Sequence, residues 1–137
     1  MIAPMLQEIT DESGTSKRVD VDYSLTQIHV NMEAGMGDIF VDSLRTPKML
    51  LAIGNGTSPT YKEKFSAIAL MYIRKEYRAP ERVEWLLEKA REYARGKGSD
   101  VIYWSRWDYN ESNNSDEMWA RNGFRKQETL FVQHLTD

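Results

Sequence analysis

The chain has 137 residues, room for one domain and one hydrophobic core, and its 41% hydrophobic and 28% charged residues are enough apolar surface to offset the entropy of folding. It has no cysteine, and its two histidines, His29 and His134, stand far apart; disulfides, thiolate nucleophiles and Cys-ligated zinc are excluded, and no metal-ligand spacing is left. The net charge of −3 is uneven, with the basic excess confined to residues 61–100, which is too weak for a nucleic-acid partner and suits at most a small anionic ligand.

No run approaches the roughly 18 apolar residues of a membrane span, and no basic segment followed by an apolar one opens the chain. The expectation is a protein that is neither secreted nor membrane-bound.

Along the chain, Ile2, Met5, Leu6 and Ile9 have the spacing of a short amphipathic helix that runs into a polar loop from Asp11. Val19, Val21 and Tyr23 alternate like a strand, while Leu25, Ile28 and Met32 share one helical face; a helix from about Ser24, as N-cap, to Ala34, stopped by Gly35, is the favoured reading. The region 1–36 is thus expected to be helical, with the sheet in 37–135. Ile39-Phe40-Val41 and Met49 to Ile53 flank Arg45-Thr46-Pro47 as a hairpin, closed by Gly54-Asn55-Gly56.

Phe65 to Ile73 is apolar on both alternating faces, as a central strand is. Pro80 stands in a first helical turn, Val83, Leu86, Leu87, Ala90 and Ala94 form one stripe, and Gly96 or Gly98 ends that helix. Val101 to Trp104 predicts a strand, Asp116 to Asn122 a short helix ending at Gly123, and Thr129 to Val132 a last strand. Helices alternating with strands make the fold α+β (α/β), a mixed central sheet flanked by helices.

The order of these segments carries a resemblance: strand Ile68 to Ile73, then Arg74-Lys75-Glu76-Tyr77-Arg78, a helix ending Tyr93-Ala94-Arg95-Gly96-Lys97-Gly98, strand Val101 to Tyr103, and Met118-Trp119-Ala120-Arg121-Asn122-Gly123-Phe124. Over residues 37–135 it is similar to the GNAT superfamily of acetyl-CoA-dependent N-acetyltransferases. The family's first strand has no counterpart before Ile2, so the N-terminal edge is expected to be trimmed or remodelled.

The resemblance implies that acetyl-CoA, if bound, lies along the main chain of Met71 and Ile73, with Arg74, Lys75, Arg78 and Arg82 as side chains that could supply positive charge to its phosphates. It also places an Arg/Gln-x-x-Gly-x-Gly/Ala phosphate loop from Arg78. There the glycine positions hold Glu81 and Val83, and Pro80 removes a donor, which suits an ordinary capped helix better than an anion cradle.

The family's general-acid tyrosine falls on Trp119, whose indole has no usable acidity, which leaves Tyr103 or Tyr109 as substitutes. Ser112 and Ser115 stand where the family carries an Asn-x-x-Ala signature. Glu76, Asp108 and Glu63 are the candidate bases, acting through water.

Two functions follow. One is a working N-acetyltransferase moving an acetyl group from acetyl-CoA to an amine. The other, favoured by the losses at Glu81, Val83 and Trp119, is a divergent GNAT-fold protein with eroded catalysis and an assembly role. It resembles small bacteriophage-encoded chains of this kind, some of them virion proteins, which implies a cytoplasmic or virion-associated location and a protein partner or self-association. Trp85 falls off the helical stripe and Trp107 follows a strand, so exposed indole at an interface is weighed against rings covering the core edge. His29 and His134 are read as structural or surface residues.

Overall fold

The computed structural model describes residues 2–13, 21–60, 62–104, 120–125, 133 and 135. Two helices, α1 (Ala3–Ser13) and α2 (Val21–Glu33), precede strands β1 (Gly37–Val41), β2 (Met49–Thr57) and β3 (Lys64–Ile73). A 3-10 turn (Lys75–Tyr77), the long helix α3 (Pro80–Gly96) and β4 (Val101–Trp104) follow. The sheet order is β1-β2-β3-β4; the first two pairings are antiparallel and β3–β4 is parallel, with α3 as the crossover between them. The expected mixed sheet is therefore present, with β3 paired on both sides.

Alternation along the strands makes two apolar layers. On one face Met49, Leu51, Ile53, Ile68 and Ile73 pack on Leu86, Leu87, Ala90 and Tyr93 of α3. On the other, Leu50 and Tyr72 pack on Met5 and Leu6 of α1, with Leu25 of α2 at the margin. The run Met49 to Ile53 is buried throughout because both faces of β2 are covered. The predicted stripe of α3 is the buried one, with Val83 at its edge and Tyr93 as an addition.

The structure adjusts three boundaries. Helix α1 continues to Ser13 rather than giving way to a loop at Asp11. Helix α2 starts at Val21, so Ser24 lies inside it and not at its cap. Strand β2 continues through Gly54-Asn55-Gly56 to Thr57. These glycines fit where neighbours come close: a Cβ on Gly54 would stand 3.2 Å from the Met36 carbonyl, and one on Gly56 2.9 Å from the Phe65 ring. Of the two candidate stops for α3, Gly98 takes the left-handed conformation (φ +71°), two residues beyond the helix.

Ala120 and Arg121 are helical and are followed by a turn at Asn122-Gly123, where Gly123 has φ +85°. Arg91 of α3 donates to the Asn122 carbonyl at 3.1 Å, which fastens this segment to the helix. The rest of the predicted helix and the strand Thr129 to Val132 lie outside the described residues. Among the described residues no strand precedes α1, and β1 pairs on one side.

Candidate functional site

The site of interest is the second half of β3. Among the described residues β4 pairs with β3 from Phe65 to Ile68, opposite Val101 to Trp104, and β3 runs on to Ile73. The register against β2 shifts here: Ile68 faces Ile53 and Leu70 faces Ala52, leaving Ala69 as an extra residue. Such a bulge bends a strand and reverses its side-chain phase. That reversal is why Ile68 and, three positions later, Met71 pack on the same α3 face.

Arg74 donates its N–H to the Lys48 carbonyl at 2.9 Å, toward the β2 side. By alternation the main-chain groups of Ile73 and Met71 turn away from β2. The side chains of both residues pack into the α3-facing core.

The cationic residues assigned to this region are largely committed to their own chain. Arg78 donates through Nε to the Ile73 carbonyl at 2.8 Å, its guanidinium 5.6 Å from the centre of the Tyr72 ring. Arg74 pairs with Glu8 of α1 at 3.1 Å. Arg82 lies over the Tyr77 ring at 5.2 Å, a ring that Lys48 also approaches, at 4.7 Å.

The first turn of α3 is poor in donors. Pro80 has no N–H, and that of Arg82 is bonded to the Ala79 carbonyl at 3.0 Å. This leaves the N–H of Glu81, whose own exposed carboxylate repels an anion seated on that helix end. A pyrophosphate needs several convergent donors at a helix start. The residues present do not fit that group of a CoA cofactor.

Among the described residues the candidate acid Tyr103 and the candidate bases Glu63 and Glu76 are not brought together. Tyr103 lies opposite Ala67, its ring 5.8 Å from Phe65, and its hydroxyl donates to Glu63, which precedes β3. That bond points toward the beginning of β3, away from Ile73. Glu76 stands exposed on the 3-10 turn. Tyr109 and Asp108 lie outside the described residues, as do Trp107, Ser112, Ser115, Trp119 and His134.

His29 pairs with Glu33 at 3.0 Å on the exposed side of α2. Trp85 is 37% exposed, with the Lys89 ammonium 5.3 Å from its ring, whereas Trp104 packs edge-on against Phe124 at 5.5 Å.

At the opposite end of the sheet an open hollow of about 420 Å³ lies between Met32, Asp38, Tyr93 and Lys97. Burial pushes the Tyr93 hydroxyl above its ordinary pKa, and the Asp38 charge adds to the shift; this hydroxyl donates to Asn55 at 2.7 Å. Among the described residues no group of three His, Cys, Asp or Glu side chains is placed to hold a metal ion, and no helix is long and apolar enough to cross a membrane.

Sequence reasoning did not single out Lys48, Glu8 or the bulge at Ala69. Lys48 and Arg74 meet only through the β2–β3 register, and Glu8 reaches Arg74 only through the packing of α1, so local spacing carries no trace of either. Ala69 is one small residue in an unbroken apolar run, a faint signal at most.

No protein-family model and no curated protein matches the chain. Solved structures do. A predicted acetyltransferase from Clostridium acetobutylicum, with acetyl-CoA, superposes with a TM-score of 0.76 at 14% identity over 98% of this chain and 88% of that one. A GNAT family acetyltransferase from Staphylococcus aureus gives 0.67 at 12% identity, over 98% and 92%. A transcriptional regulator from Bacillus halodurans gives 0.77 at 13% identity, over 98% and 93%. At these identities the likeness is one of architecture: the chain has the fold of the GNAT acetyltransferases.

Proposed function

We propose that the chain is a GNAT-fold protein that has given up acetyl transfer and works through a protein interface. The observation that carries this reading is the first turn of α3, where Pro80, the Ala79-bonded Arg82 and the carboxylate of Glu81 stand in place of a phosphate cradle. The Ile73 carbonyl, which would line a cofactor bound along β3, is meanwhile taken by Arg78. Trp119, at the position of the family's acid, and the partly exposed Trp85 on α3 support the same reading. A virion-associated role in a bacteriophage is its narrowest form, supported by resemblance to small, cysteine-free GNAT-like phage chains.

The test is calorimetry with acetyl-CoA and with CoA, followed by an acetylation assay on peptide and small-amine acceptors. No saturable heat and no product are expected. A dissociation constant in the low micromolar range, with turnover, would reject the proposal.

A second reading, an active N-acetyltransferase, is favoured by the alternation of β3, which turns the main chain of Met71 and Ile73 away from β2, beyond the stretch paired with β4 among the described residues. Bound acetyl-CoA would supply the activated acetyl group. The chain would supply a base, from Glu76, Glu63 or Asp108, and an acid, from Tyr103 or Tyr109, to deprotonate the amine and reprotonate the thiolate.

A further inference from the structure

Arg82 at the start of α3 and Lys48 at the entrance to β2 converge on one aromatic ring. The Lys48 ammonium is 4.7 Å and the Arg82 guanidinium 5.2 Å from the centre of the Tyr77 ring, so the two are held no further apart than those distances together allow. Neither makes an ion pair among the described residues, although Glu76 and Glu81 are close in sequence. Lys75, exposed on the same 3-10 turn as Tyr77, has no ion pair there either.

Two like charges kept near each other repel, and the ring's negative face offsets part of that repulsion; the Asp42 carboxylate accepts from the Lys48 main-chain N–H at 2.8 Å but makes no ion pair with the Lys48 ammonium. An anionic group from outside would relieve it. Nearby, Arg74 is neutralised by Glu8 and Arg78 is turned back onto Ile73, so the cations here without an ion pair among the described residues are Lys48, Lys75 and Arg82.

From this arrangement we infer that Lys48 and Arg82, which meet at Tyr77, together with Lys75 on the same 3-10 turn, form the docking surface for an acidic segment of a partner protein. The inference rests on the reading of the chain as an interaction protein and gives that partner a chemistry. Three features favour an extended acidic segment over a small enclosed anion. The cations come from three separate elements, they are exposed or half-exposed rather than sunk in a cavity, and they include two lysines, whose single-point charges suit carboxylates without demanding bidentate geometry. Lys48 stands on the β2 side of β3, across that strand from the side on which β4 pairs.

The experiment is fluorescence anisotropy of a labelled decaglutamate peptide against the full chain, with a single-stranded oligonucleotide of equal charge in parallel. Binding of the peptide that weakens as salt rises is expected, because rim charges are screened. The double variant Lys48→Gln with Arg82→Gln, which keeps much of the aliphatic cover on Tyr77, should weaken it about tenfold, and each single variant about threefold. Lys62→Gln, an exposed lysine just ahead of β3, should change nothing.

Peptide binding that is absent, that ignores salt, that survives the double variant in a protein with wild-type circular dichroism, or that is weaker than oligonucleotide binding would overturn the inference. Calorimetry with CoA is independent of all these outcomes: turnover defeats the non-catalytic reading, whereas loss of peptide binding alone defeats only the docking surface.

Discussion

Arg78 folds back across the turn after β3 so that its Nε lies 2.8 Å from the carbonyl of Ile73, the last residue of that strand. The contact closes the end of β3 with a side chain from the loop that follows it, and the guanidinium is held over Tyr72 as well. Arg78→Ala should lower stability by about 1 kcal/mol, a modest figure because the guanidinium is exposed and the freed carbonyl can find water. Urea denaturation measures it; an unchanged midpoint would mean that the contact does not persist in solution.

Helix α3 supplies a contrast between core and surface. Leu87 is 1% exposed and packs under the sheet, so Leu87→Ala should cost about 2–5 kcal/mol. Trp85→Ala removes a ring that is partly covered by Lys89 but lies off the stripe, and should cost about 1 kcal/mol or less. The same variant should abolish or weaken partner capture if the indole is central to the interface, where truncating a Trp costs about 2 kcal/mol or more. Thermal melts and pull-down from the native source separate the two effects.

Restoring small residues at the start of α3 should restore anion binding. Glu81→Gly with Val83→Ala removes the carboxylate and returns the loop to the pattern the resemblance implies, at about 1 kcal/mol of helix stability for the glycine. Val83 also packs at the edge of the core, so its truncation adds a further loss. Calorimetry should show CoA binding by the double variant and none by the wild type. Equal binding by the two proteins would show that the α3 start is not the obstacle.

Tyr93 should make stability fall in alkali. Its hydroxyl has a raised pKa in the folded protein, from burial first and Asp38 second, so above the ordinary phenol value of about 10 the unfolded chain releases this proton while the folded one keeps it. The stabilisation is fully present below that value and is lost as pH rises through the folded pKa. Tyr93→Phe should remove this component of the alkaline slope, and should cost about 1 kcal/mol at neutral pH through the lost bond to Asn55. Denaturation midpoints at a series of pH values check both parts.

Sequence periodicity and turn chemistry determined where the helices and strands lie, the hairpin of β1 with β2, and which face of α3 is buried. Leu86, Leu87, Ala90 and Ala94 declare the inner side of α3 by their spacing, and the apolar run of β3 declares a central strand covered on both faces, because burying a fixed stripe is a local requirement on residue type. The doubtful phosphate loop was equally legible, since the missing donor of Pro80 and the charge of Glu81 are properties of those residues wherever they stand.

What only the tertiary structure decided is where charged and polar side chains end. Tyr103 is directed to Glu63, Arg74 to Glu8 and Lys48 to Tyr77, each across a distance in sequence that no local spacing spans. A long side chain has several rotamers of similar energy, and the one adopted depends on which counter-charge, carbonyl or ring the packed core brings within reach. The bulge at Ala69 belongs with them, because the extra residue exists only relative to the register of β2, and that register is set by packing on both faces of the sheet.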